Sequence, residues 1–170
     1  MLIISRLIGS AALFGALAIG PHRIIVQGPA SLTDRDLGIA GLSMNSDSAQ
    51  ARRVLGAPKS VRHHDYHGND EVLHLTDWTY SGLTVSFYEN GKFYSATITG
   101  RSRRTVRGLR AGDSVKRVTA LYGGPVFMDS VSAVYRYAPP GPHPSNWGMI
   151  IHLQRGVVHR LVVGVIGSVD

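Results

Sequence analysis

The stretch GLSMNSDSAQARRVLGAP, Gly41 to Pro58, is echoed by GLRAGDSVKRVTALYGGP, Gly108 to Pro125; both run eighteen residues, open on Gly-Leu and close on Gly-x-Pro. Self-similarity inside a chain of 170 residues constrains the fold more than any composition value does, because a recurring sentence marks a recurring structural unit. In the first stretch Ser46 is placed to cap a helix with Ser48, Ala51, Val54 and Leu55 inward. In the second, Asp113 caps and Val115, Val118, Leu121 and Tyr122 face in. Gly56 and Gly123 stand where a left-handed helix stop favours glycine, and Pro58 and Pro125 keep either helix from resuming.

After each proline the texture turns to strand. GLTVSFYENGKFYSATITG alternates Leu83, Val85 and Phe87 against Thr84, Ser86 and Tyr88, then turns at Glu89-Asn90-Gly91. GMIIHLQRGVVHRLVVGV sets Met149, Ile151 and Leu153 on one face, turns near Arg155-Gly156 and returns through His159, Leu161 and Val163. Ahead of each hairpin lies an aromatic strand, with Trp78 and Tyr80 in one and Tyr135 and Tyr137 in the other. Residues two apart share a face, so each strand carries an aromatic pair. The expected fold is therefore α+β, a tandem duplication of a short helix packed on an antiparallel sheet. The two copies lie side by side, able to join into a longer sheet with the helices on one face. The expected division is a leader or anchor over 1–20, a linker over 21–36, one unit over 37–100, an Arg-rich linker over 101–107 and a second unit over 108–166.

The leader reading rests on Arg6 ahead of an apolar run and on Ala16-Leu17-Ala18 as an exit signal. It places the mature chain in the periplasm or outside the cell, with an uncleaved N-terminal tether as the alternative. Cysteine is absent, which excludes disulfides, thiol nucleophiles and a lipidated cysteine. The formal net charge of +7 is concentrated at Arg101, Arg103, Arg104, Arg107 and Arg110, an expected electrostatic patch for an acidic protein or an anionic envelope surface. No aromatic interleaves these arginines as a nucleic-acid platform requires, and no nucleic-acid partner is expected.

The spacing of Gly-Leu, short helix, Gly-x-Pro, aromatic strand and hairpin resembles the fold shared by the β-lactamase inhibitor protein and the small outer-membrane-assembly lipoproteins of the SmpA/OmlA type. The resemblance covers roughly 37–165, and the twofold occurrence is closer to the inhibitor. It implies a secreted, non-enzymatic binder whose aromatic sheet and projecting loops engage a target. Trp78, Tyr80, Tyr135 and Tyr137 match its aromatic strands. For the lipoproteins the implied role is bracing partners at the outer membrane.

Chemistry-bearing motifs are sparse. The chain has no Gly-x-Ser-x-Gly elbow, phosphate loop or dinucleotide fingerprint, so no catalytic residue, cofactor or metal is expected. The weaker alternative is a small metal-dependent hydrolase using His63, Asp65 and His67, which share a face if their segment is a strand. Trp and Tyr dominate binding hot spots. The expected contact residues are therefore Trp78, Tyr80, Tyr135, Tyr137 and, in the Pro-rich stretch, Trp147. The expected function is protein recognition, as an inhibitor of or scaffold for an envelope or secreted protein. Envelope assembly or surface structure is the alternative.

Overall fold

The computed structural model describes residues 32–67, 72–137 and 146–166. The leader, the first part of the expected linker and the Pro-rich stretch before Asn146 lie outside the described residues. Two helices, α1 (Ser48–Leu55) and α2 (Val115–Tyr122), accompany eight strands. These are β1 (Ser60–His67), β2 (Val72–Tyr80), β3 (Leu83–Tyr88), β4 (Phe93–Ile98), β5 (Phe127–Met128), β6 (Ser132–Arg136), β7 (Trp147–Gln154) and β8 (Val157–Val165). All pair antiparallel in one sheet, in the order β1-β2-β3-β4-β8-β7-β6-β5.

This corrects the expected α+β tandem duplication. Among the described residues the protein is mainly a single eight-stranded antiparallel sheet with two short helices, and the helices do not form a layer. Each spans eight residues, and between them they bury only Ala51, Val118 and Tyr122. Two turns of helix cannot cover a sheet of this width, since a helix lengthens by only about 1.5 Å per residue. Irregular segments supply the rest of the cover: Leu32, Leu37, Ile39, Leu42 and Leu109 are each 3% exposed or less. Leu32 and Asp36, both within the stretch read as linker, are thus part of the core. The two sets of strands fuse where β4 meets β8, with Ala96 opposite Val163 and Ile98 opposite Leu161. Fusion satisfies two backbone edges that separate units would leave open.

Both helix stops and both hairpins follow the sequence. Gly56 and Gly123 adopt φ of 80° and 71°, and Leu83, Val85 and Phe87 are buried on the helix-facing side. The caps sit one residue later than the sequence suggests. Asp47 accepts from the Gln50 amide at 2.7 Å, and Ser114 accepts from Arg117. Ser46 instead lies buried, its hydroxyl accepting from the Ser43 amide. Val54, expected inward, is 48% exposed.

An ion pair between the buried Asp36 and the half-buried Arg107 locks the irregular cover onto the sheet. Asp36 accepts both hydrogens of a forked contact from Arg107, Nε at 2.5 Å and Nη2 at 2.6 Å, while Nη1 donates to the Leu121 carbonyl at 2.7 Å. The guanidinium also lies over the Tyr122 ring, 4.9 Å from its centre, and the Tyr122 hydroxyl meets Thr105 Oγ1 at 2.7 Å. Burial pushes the Asp36 carboxyl up. Hydrogen bonds from Arg107 and from the Thr33 backbone and hydroxyl outweigh it and leave the group below its ordinary value.

Candidate functional site

The end of the sheet at β1 is uncovered on both faces. Every residue of Ser60–His67 is exposed except the half-buried His64, and among the described residues β1 pairs with β2 alone, which leaves its outer edge unpaired there. Register determines what each face carries. Val61 lies opposite Trp78, His63 opposite Thr76 and Asp65 opposite His74, all on the helix-facing side. Arg62 lies opposite Asp77, His64 opposite Leu75 and Tyr66 opposite Leu73, on the other side.

On the helix-facing side, beside Ser48 at the start of α1, lies a groove of about 300 Å³ with Val61, His63, Thr76, Trp78 and Phe87 among its walls. Trp78 is half-buried, set edge-on to Phe87 with ring centres 5.2 Å apart. Val61 is 50% exposed at the rim. On the opposite face three tyrosines cluster. Tyr94 lies 5.1 Å from Tyr88 and 6.4 Å from Tyr66, and burial pushes its phenol above the ordinary tyrosine range. Beside them Asp77 accepts from Ser86 Oγ at 2.6 Å, with Arg62 and His64 within ion-pair reach.

The remaining expected aromatics make contacts within the fold. The Tyr80 hydroxyl donates to the Gly56 carbonyl at 3.4 Å, and that of Tyr135 to the Gly123 carbonyl at 3.0 Å, so each ties a helix stop to the sheet. Burial, with Tyr122 beside it, pushes the Tyr135 phenol up to about 12. Tyr135→Phe is expected to cost about 1 kcal/mol, the usual worth of one net hydrogen bond, in chemical unfolding with the strand content unchanged. Tyr137 donates to Asp34. Trp147 opens β7 and stacks on Phe93, ring centres 6.0 Å apart at 15°. Of the five aromatics expected to meet a partner, only Trp78 is among the residues lining this groove. Sequence reasoning passed over Val61, Tyr66 and Tyr94. Strand alternation sets Tyr88 on the face opposite Phe87, and that is the signal that identifies the tyrosine face.

The five arginines also separate. Arg107 is sequestered by Asp36, Arg110 pairs with Asp113 at 3.6 Å, and Arg103 reaches the Ser81 carbonyl at 3.4 Å. Arg104 is exposed, and Arg101 lines a separate cleft. His63, Asp65 and His67 do share a strand face, but Asp65 is engaged by His74 Nδ1 at 2.7 Å and His63 Nδ1 by Thr76 Oγ1 at 2.9 Å. That contact raises the proton affinity of His74. Among the described residues no three such side chains converge on a point where a metal ion would sit.

No protein-family model, curated protein or solved structure matches the chain. An unpaired strand edge, an apolar groove and an aromatic cluster can hold a ligand by shape and hydrogen bonding.

Proposed function

We propose that this chain is an exported, non-enzymatic protein-binding module that docks a partner at the β1–β2 end of its sheet. The observation that carries the reading is β1 itself, an eight-residue edge strand exposed on both faces and flanked by the Trp78 groove and the tyrosine cluster. An extended segment added to such an edge gains main-chain hydrogen bonds along its length, and its alternate side chains meet two different surfaces. One set would enter the groove between Val61 and Trp78. The other would lie on Tyr66 and Tyr94. Native edge strands of this length are ordinarily shielded, and here Arg62 and Asp65 are the only formal charges on it besides its histidines.

The test is retention of a partner from an envelope extract by the full chain, compared with Val61→Asp, Trp78→Ala and, in α2 over the other half of the sheet, Lys116→Ala. Val61→Asp alters an exposed position and should leave the fold intact. Each of the first two substitutions is expected to weaken capture about 30-fold or more, as loss of a hot-spot contact of ~2 kcal/mol does, with Lys116→Ala matching the parent. A partner held equally by the parent and by Val61→Asp would refute docking at this edge.

A further inference from the structure

A second concavity lies at the opposite end of β4 from the Trp78 groove. It is a cleft of about 460 Å³ between Thr99, the Ala111-Gly112 turn and the β7–β8 turn, with Arg101, Arg155 and His159 on its walls and no carboxylate among its lining residues. Its floor is held by backbone: the Gly112 amide donates to Val158, Val158 to Asp113, and Val115 to Gly156, all within 3.0 Å. The nearby Asp113 carboxylate is occupied by Arg110 and Arg117. Among the described residues neither Arg101 nor Arg155 has an ion-pair or hydrogen-bond partner.

Two backbone features look arranged around these cations. Gly112 has φ of +94°, and a Cβ there would stand 2.9 Å from Arg101 Nε, so glycine is what lets that side chain lie against the turn. Arg155 occupies the first turn position of the β7–β8 hairpin at φ of 53°, followed by Gly156 at 73°. Two successive positive φ values favour Asn-Gly or Gly-Gly at this place, and a long side chain there costs conformational energy. Residues held in such conformations cluster at ligand clamps and active sites.

From these observations the structure assigns a phosphate-binding site to the cleft, distinct from the docking edge and independent of it. Two guanidinium forks match the charge of a phosphate dianion and offer it paired N–H donors, with the Gln154 amide and the His159 ring as further polar groups. The volume exceeds what a bare ion fills and lies in the range of small-molecule sites. The ligand is therefore a phosphate group carried on a larger body, either a soluble phosphate monoester or a lipid headgroup.

The experiment is a titration of the full chain with inorganic phosphate at constant ionic strength, following the backbone amides of Gly112, Gln154 and Gly156 by nuclear magnetic resonance. Parallel titrations use Arg155→Asn and Arg101→Gln. Saturable shifts confined to those amides are expected in the parent, with affinity at least tenfold weaker in each variant. Arg155→Asn should also raise the melting temperature, because asparagine tolerates the left-handed position, so weakened binding cannot be laid to unfolding. A second arm uses phosphatidylcholine vesicles with and without phosphatidic acid. Stronger binding to the phosphatidic acid vesicles than to inorganic phosphate, with the same variant dependence, identifies the headgroup as the source; the reverse identifies a soluble ligand. Shifts spread over the whole basic surface, or unchanged affinity in Arg155→Asn, would overturn the assignment.

Discussion

Replacing Arg107 with alanine is expected to remove roughly 3 kcal/mol of folding stability, a loss in the range seen when one partner of a buried pair is deleted. The cause is less the lost attraction than what remains: Asp36, 2% exposed, keeps its carboxylate with only the Thr33 contacts to hold it. The same deletion frees the Leu121 carbonyl and the face of Tyr122. The pH dependence tests this cause. In the parent the folded value of Asp36 lies below 3.8, so its contribution is complete above the unfolded value and is lost as pH falls through the folded one. In Arg107→Ala the largest of the lowering contacts is gone while burial remains, so the carboxyl moves up from its value in the parent. The variant should recover part of its deficit on going from pH 7 to about pH 4.5, where the parent is still unaffected. Urea unfolding at the two pH values measures both effects. A deficit that stays constant between them would mean that Asp36 is not the group left unsatisfied.

That ion pair also shows where the sequence stops being informative. Asp36 and Arg107 are 71 residues apart, and nothing local to either marks it as the other's partner. Arg107 stands in a run of exposed-looking arginines, and only its position over Tyr122 separates it from them. What was legible is what short-range physics decides. Alternation around Val85 and around Ile151 fixed which side chains share a face, and the glycines at 56, 91, 123 and 156 marked where the chain reverses or stops. Alternation does not say which face is covered. Tyr80 and Tyr135 carry the same periodic signal whether they meet solvent or core, and the outcome depends on cover delivered by 32–42 and 101–109, segments with no periodicity to read. The joining of β4 to β8 is likewise a pairing between distant strands, invisible to any window of fifteen residues. Within β1 the segment HHDYH reads as a run of histidines, and nothing local marks its tyrosine. Its neighbour Tyr94 becomes part of a cluster only through the irregular register between β3 and β4 near Phe87.

The seam between β4 and β8 yields the second large expected effect. Leu161 is fully buried, lies opposite Ile98 on one side and Ile151 on the other, and so touches both sets of strands at once. Leu161→Ala should cost about 3 kcal/mol, the transfer of the lost side chain plus the cavity it leaves. Where that loss is felt distinguishes one sheet from two units. The only tryptophans, Trp78 in β2 and Trp147 in β7, stand in different sets of strands, so Trp78→Phe and Trp147→Phe backgrounds leave one fluorescent reporter in each. A single sheet with a common core unfolds as one cooperative unit. Both reporters should then give the same midpoint in urea, and Leu161→Ala should move both by the same amount. If the two halves held their own cores, the Trp78 transition would stay in place while the Trp147 transition shifted. Coincident midpoints before and after the substitution are the result that a continuous eight-stranded sheet requires.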